Sequence, residues 1–294
     1  MKSLLILALM KTISLLPLGL ARYLGEFFGV VLSAINAKPL KISKLNLSLC
    51  YPDKSQTTVD LLAKKRMQHF AQTFFETPGL WRRSAHWLET KIISVEGDAY
   101  LHEALASDRG TILIAPHQGN WEVIGLWVAQ QTKMTSLYQP PKIAAFGNWI
   151  KRAREKTGSQ LVPTSVRGVA ALLKALKKGE TVGILPDQQP PRTSGAFAPL
   201  FGAQALTMTL THNLLQRSNS QAILCCALRE QGGWRMTFMP ADKAIYSPDQ
   251  ATSLAAMNAG VEAIATMSLE QYQWEYKRFR TQPEGSPAIY THGS

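Results

Sequence analysis

The stretch TILIAPHQGNWEVIGL, residues 111–126, constrains this chain more than any other. A β-branched and aliphatic run from Thr111 to Ala115 stops at Pro116 and His117. Gly119 and Asn120 follow, and an apolar-periodic segment opens at Trp121. That order reads as a buried strand, a tight turn and a helix start, with Asn120 as candidate N-cap. His117 then sits on the strand-end turn and Glu122 in the first helical turn. On one continuous helix the two side chains would point about 140° apart, from the ~100° advance per residue. A strand–turn–helix lets them converge instead, at a strand end where α/β sheets build their sites. Histidine is a base near neutral pH, and a carboxylate can hold its tautomer and stabilise the imidazolium. A turn histidine bonded to backbone, with Glu122 merely favouring the helix N-terminus, fits the same residues.

The rest of the chain alternates in the same way. Helix periodicity over 57–77 (Leu61, Leu62, Met67, Phe70, Phe74) is expected to stop at Pro78 and Gly79, with Trp81, Arg82, Arg83 and Trp87 beyond it as an interfacial surface or a core edge. Residues 91–97 read as a strand, 98–107 as a helix, 134–138 as a strand and about 142–157 as a basic helix carrying Lys151, Arg152, Arg154 and Lys156. A short strand at 160–162 and a helix at 166–178 lead to TVGILPDQQPP, which repeats the first motif: a buried strand, then polar residues on a proline-rich turn. Helix 206–218, strands 221–228 and 233–239, and a last helix near 250–269 complete the pattern. Alternation at this spacing predicts a single α/β domain with a central, mostly parallel mixed sheet flanked by helices, and an antiparallel hairpin at 221–239. With 294 residues and 46% hydrophobic content, such a domain can fill a sizeable core.

The N-terminus adds a different signal. Residues 3–10 are apolar, Lys11 interrupts, TISLLPLGLA continues, and YLGEFFGVVLSAI covers 23–35. No window reaches 18 uninterrupted apolar residues, so a clean span is not demonstrated, and no convincing small-x-small cleavage site marks a signal peptide. Lys38, Lys41, Lys44 and Lys54 follow, opposed only by Asp53. An apolar helix beside lysines suits an anionic leaflet, so residues 1–36 are expected to form a membrane-associating helix and 37–294 the body. A buried N-terminal hairpin with solvated lysines is the competing reading.

Thirty-two basic against twenty acidic residues give a net charge of +12, which points to an anionic partner: nucleic acid, membrane surface or a phosphorylated substrate. Cys50, Cys225 and Cys226 have no metal-ligand spacing and read as core thiols. His69, His86, His102, His212 and His292 form no metal pair, so no metal is expected. A G-x-S-x-G elbow and a phosphate-binding glycine loop are both missing, which disfavours serine hydrolases and P-loop enzymes.

HQGNWE resembles the His-(four residues)-acidic signature of the lysophospholipid acyltransferase superfamily. KRAREKTG (151–158), ALKKGETVGILPDQQPPRTSGAFAPLFG (175–202) and EQYQWEYKRFRTQPEG (270–285) further resemble the branch that acylates lipid A, the lauroyl/myristoyl acyltransferases. The resemblance covers essentially residues 1–290. It implies His117 as general base on an acceptor hydroxyl and Glu122 as the group that orients it. The hydroxyl would attack an acyl thioester directly, with no acyl-enzyme. It implies acceptor phosphates facing Arg152 and Arg154, and a polar pair at Asp187 and Gln188, with Arg192 and Gly202 in the same block. Gln189 stands where relatives often carry a second charge. No cofactor is implied beyond the thioester co-substrate, on acyl carrier protein or coenzyme A. The implied partners are that carrier protein, a lipid A precursor and the anionic phospholipid membrane, at the cytoplasmic face of a bacterial inner membrane. An acyl-length ruler is implied, but no periodicity locates it.

Two further functions stay open on the sequence, besides a deacylase in which the same base would activate water. One is acyl transfer to a glycerophospholipid or a phosphatidylinositol mannoside, whose enzymes share the first motif. The other is a non-catalytic basic module binding membrane or nucleic acid. Nucleic acid is disfavoured as a partner, because no nucleic-acid fold signature is present and the basic residues are dispersed.

Overall fold

A computed structural model describes residues 2–141 and 143–290. His292 lies outside them, as does Lys142, the expected start of the basic helix. The chain opens with helices α1 (Lys2–Ile13), α2 (Leu18–Ala34), α3 (Lys38–Cys50) and α4 (Gln56–Arg82), then the short α5 (Ala85–Glu89). The alternating part follows: β1 (Ile92–Glu96), α6 (Asp98–Ala106), β2 (Thr111–Ile114), α7 (Trp121–Val128), β3 (Met134–Tyr138), α8 (Ala144–Glu155), β4 (Ser159–Pro163), α9 (Val166–Leu176) and β5 (Thr181–Ile184). A hairpin, β6 (Gly195–Leu200) and β7 (Ala203–Met208), precedes α10 (Leu210–Ser218), β8 (Gln221–Glu230), β9 (Gly233–Pro240) and α11 (Gln250–Thr266).

Seven strands form one sheet in the order β1-β9-β8-β2-β5-β3-β4. Strands β8, β2, β5, β3 and β4 are mutually parallel, while β9 runs antiparallel to β8 and takes β1 with it. The mostly parallel mixed sheet and the antiparallel 221–239 hairpin are therefore as expected. Every residue of β2 and β5 is buried, which is why both read as continuous apolar runs without alternation. Helices cover both faces. Leu113, Val123, Trp127, Cys225 and Phe238 pack on one side, and Ile112, Leu172, Val182, Leu214, Cys226 and Ile264 on the other. Adjacent Cys225 and Cys226 thus enter opposite cores, as period-two geometry requires.

Three elements depart from the sequence expectation. Helix α4 runs through Pro78 and Gly79 to Arg82. An internal proline costs about 3 kcal/mol, but Pro78, Gly79, Leu80 and Trp81 are all buried, and that packing holds the turn. Residues 203–208 are a strand, so the helix expected from 206 begins at Leu210. Phe201 and Gly202 both have positive φ, 50° and 75°, and close a two-residue hairpin turn between β6 and β7. Gly202 is thereby explained by backbone geometry. Finally, the expected single N-terminal helix is two helices, parted at Pro17.

Helix α2 lies flat against α4. A Cβ on Gly25 would stand 2.5 Å from the Gln72 Cα, and one on Gly29 would stand 2.3 Å from the Gln68 Cα. These glycines, one helical turn apart, let the two backbones touch. Exposed apolar side chains remain on α1 (Leu5, Leu9), at the connector (Leu15), and on α2 and its C-terminus (Phe27, Val30, Ile35). Among the described residues no single helix is long and apolar enough to cross a membrane. The bent pair α2 and α3, at 80°, passes that test only jointly. Replacing Gly29 with Val should cost about 1–3 kcal/mol by overpacking against backbone. Gly19→Ala, on the same helix with nothing within 4 Å of its new Cβ, should be neutral or stabilising. Denaturant unfolding of the two variants beside the parent measures the difference.

Candidate active site

Strands β2 and β5 pair in register, Ile114 opposite Ile184. Three residues past each lie His117 and Asp187, at matching places on matching Pro-containing turns, and equal offset brings them side by side. One Asp187 carboxylate oxygen is 2.8 Å from His117 Nδ1, and the other accepts the His117 backbone N–H at 2.8 Å. The Tyr272 phenol lies beside this carboxylate. Burial opposes ionisation of Asp187, but the His117 side chain and backbone N–H outweigh it and hold the carboxyl below the usual range. Burial pushes the Tyr272 phenol well up, so it stays a donor.

A carboxylate can only accept, so Nδ1 carries the proton of neutral His117 and Nε2 keeps its lone pair. The Gln188 amide nitrogen lies 3.2 Å from Nε2 and donates to the Gln273 side-chain oxygen at 2.9 Å. The Trp121 indole stands edge-on to the imidazole, ring centres 4.6 Å apart. The turn itself is tightly specified. Gly119 has φ +59°, and a Cβ there would sit 2.0 Å from the Ala227 carbonyl oxygen. Asn120 caps α7 by accepting the Glu122 N–H, and its amide donates to Glu76 at 3.1 Å.

Glu122 has a different partner from the one expected. Its carboxylate is gripped by two nitrogens of Arg154 on α8, with Arg154 Nε at 3.0 Å, and accepts the Trp81 indole N–H at 3.0 Å. Burial disfavours its charge, but Arg154 and Trp81 hold it below the ordinary glutamate value. The group that fixes the His117 tautomer is Asp187. Helix α7 starts after the turn and directs Glu122 towards α4 and α8, whereas Asp187 arrives on the adjacent strand. Of the two readings of Trp81, the core edge holds: it is a buried donor to the site.

His117, Glu122, Arg154 and Gln188 all border one cavity of about 780 Å³. Its other walls are mainly apolar, including Phe70, Phe74, Trp121, Met134, Phe146 and Ile150. Arg154 is only partly exposed and lies over the Tyr138 ring. Arg152 is exposed on the outer side of α8 and does not border the cavity. Arg192 is also exposed and borders a separate surface cleft with Arg280. The structure therefore leaves both arginines outside the site. Gln189 also borders the cavity and is tied to Thr281, donating to its hydroxyl and accepting its backbone N–H. Of the other histidines, His69 is an acceptor for Arg229, His212 is buried, and His86 and His102 are solvated. Tyr272 and Gln273 join the site without having been singled out by the sequence. Both lie in the quoted C-terminal stretch, but nothing in its periodicity shows that it folds back over the ends of β2 and β5.

A neutral imidazole backed by a carboxylate, with its unprotonated nitrogen facing the Gln188 amide at the wall of a large apolar cavity, suits proton abstraction from a hydroxyl held beside a long hydrocarbon. Comparison with known proteins agrees in class. The lipid A biosynthesis lauroyltransferase of Escherichia coli (strain K12) is 30% identical over 285 residues, covering 94% of this chain and 90% of that protein. The palmitoleoyltransferase of the same strain is 26% identical over 283 residues, with the same coverage. Its myristoyltransferase is 21% identical over 271 residues, covering 91% and 82%. The model of the bacterial lipid A biosynthesis acyltransferase family matches residues 2–281, and the chain belongs to that family.

Proposed function

We propose that the protein transfers a fatty acyl chain from a thioester, on acyl carrier protein or coenzyme A, to a hydroxyl of a lipid A precursor. The observation that carries this reading is the His117 imidazole, locked by Asp187 at Nδ1, with its Nε2 lone pair beside the apolar cavity and bonded only by the Gln188 amide, which an acceptor hydroxyl would replace. Nε2 takes the hydroxyl proton as the oxygen attacks the thioester carbonyl. The resulting imidazolium is stabilised by Asp187, the carbon–sulfur bond breaks, and the leaving thiolate takes the proton from Nε2 to depart as the thiol, which restores the neutral imidazole. The acyl tail occupies the cavity. Arg154, steadied by Glu122 and Tyr138, offers its guanidinium to an acceptor phosphate at the same wall. No cofactor enters the scheme.

Membrane association belongs to the same proposal. The exposed apolar residues of α1 and α2, with the net charge of +12, support residues 1–36 lying in or on an anionic leaflet, the cytoplasmic face of a bacterial inner membrane.

The test uses detergent-solubilised protein and labelled acyl carrier protein thioesters, with a phosphorylated lipid A precursor and a lysophospholipid as parallel acceptors. Transfer to the lipid A precursor alone is expected; transfer only to the lysophospholipid would overturn the acceptor. His117→Ala should lower the rate by roughly 10²–10⁴-fold, the usual weight of general-base assistance. Asp187→Asn should lower it too with the fold intact, because an amide no longer enforces the productive tautomer.

Glu122→Gln separates charge pairing from proton transfer. The Glu122 carboxyl is held below its ordinary value by its partners. The stability this confers is full above the unfolded-state value and fades as pH falls through the folded one. The variant should therefore be less stable than the parent at neutral pH, by no more than the ~3–5 kcal/mol typical of breaking a fully buried pair, since Arg154 is partly exposed. The two should converge on acidification. A constant gap across denaturation curves taken from neutral to acidic pH would contradict this account of Glu122.

A further inference from the structure

The cavity runs along one face of the sheet. Leu113 pairs with Gly183, Gly183 with Ser136 and Ser136 with Leu161, and all four border the cavity. They make one row across β2, β5, β3 and β4. A second row lies two residues nearer the strand starts, where Thr111 pairs with Thr181, Thr181 with Met134 and Met134 with Ser159. Met134 and Ser159 border the cavity there. Within β2 the Met134 row lies three positions before Ile114, about 10 Å at ~3.3 Å per residue, and His117 lies beyond the strand on its turn. The facing wall is α7, where Glu122 and Gly125, three residues apart and so on one helix face, also border the cavity.

Two glycines shape this space from opposite sides. A Cβ on Gly125 would meet nothing within 4 Å, so a side chain there would enter the void. A Cβ on Gly183 would stand 2.3 Å from the Met134 methyl carbon and 2.9 Å from the Ser136 hydroxyl. The end of the Met134 side chain thus lies over Gly183, in the room the missing side chain leaves. Methionine is unbranched and fills irregular gaps. Here it borders the cavity in the row nearest the strand starts, on the side of the sheet away from the His117 turn.

We propose that Gly125, Gly183 and Met134 set the length of the acyl chain the protein accepts. Gly125 keeps the middle of the channel open, and Met134, seated on Gly183, is its end stop. This rests on the acyl-transfer reading above. Chain length is then measured by where the terminal methyl meets the Met134 side chain. Each methylene that no longer fits lowers preference by about fourfold, from the ~0.8 kcal/mol of burying one.

The experiment has two arms, each run on the parent, Gly125→Leu and Met134→Ala. Leucine is a better helix former than glycine, so Gly125→Leu should keep α7 intact. In the first arm, unreactive S-alkyl pantetheine thioethers of increasing chain length are bound and followed calorimetrically. In the second, mixed acyl thioesters compete for transfer to the lipid A precursor. Gly125→Leu should lower the ratio of long to short chains by about tenfold or more in both arms, and Met134→Ala should move the optimum to longer chains. Gly183→Ala should act like Gly125→Leu, by pushing the Met134 methyl into the channel. Folded variants with the parent's length profile would overturn the proposal, as would a parent that binds no thioether. Length-dependent binding that shifts as expected, with no transfer by the parent, would instead uphold the gauge and overturn the acyl-transfer reading.

Discussion

A carboxylate sealed from water, Glu76 on α4, holds the fold and the site to each other. Its side chain has no solvent exposure. Burial alone would neutralise it, yet Arg229 and Arg22 hold its carboxyl below the usual range. The partners come from different parts of the chain. Arg22 lies on α2 and also donates to the carbonyls of Glu230 and Gly233, Arg229 lies on β8, and Asn120 caps α7. A buried charge left short of a partner costs several kcal/mol, so any other arrangement of these elements carries that penalty. His69 completes the cluster as a neutral acceptor for Arg229, its pKa pushed down to about 3 by burial first and the neighbouring guanidiniums second. Helix α2 is thereby tied to the same cluster as the turn that carries His117.

The sheet was legible in the sequence because its signals are local. Runs such as TILIA and TVGIL are long enough in β-branched and aliphatic residues to declare buried strands, and turn residues bound them. Where the local signals misled, the competing force was tertiary. Pro78 is a strong breaker in isolation, and only the burial of Trp81 and its neighbours, invisible along the chain, lets the helix continue past it. The β6–β7 hairpin turns on Phe201 taking a left-handed conformation, which a propensity reading assigns to few residues other than glycine, asparagine and aspartate.

At the site, His117 was legible and its partner was not. Glu122 is the nearer acidic residue in sequence, and spacing alone favours it. The better signal was the likeness of ILIAPHQ and VGILPDQ, which puts histidine and aspartate at the same offset from two strands. Strand order was the missing fact. Once β2 and β5 are neighbours in register, the offset alone joins His117 to Asp187.

The pairing scheme has a chemical logic that reaches beyond one dyad. Several carboxylates are buried around a cavity that must stay apolar, and each is matched to its own cation: Glu76 to Arg22 and Arg229, Glu275 to Arg66, Glu122 to Arg154. Asp187 alone among these faces a group that can be neutral. If Glu122 instead faced the imidazole, Arg154 would lose its anchor and a second anion would compete for the histidine. With Arg154 absorbing Glu122, the imidazole has one carboxylate, one fixed tautomer and one unprotonated nitrogen, which the Gln188 amide meets. That nitrogen points to the kind of space in which a long acyl chain and an attacking hydroxyl can meet away from water. Arg154 therefore acts on the histidine's surroundings from a distance, by occupying the neighbouring acid, Glu122.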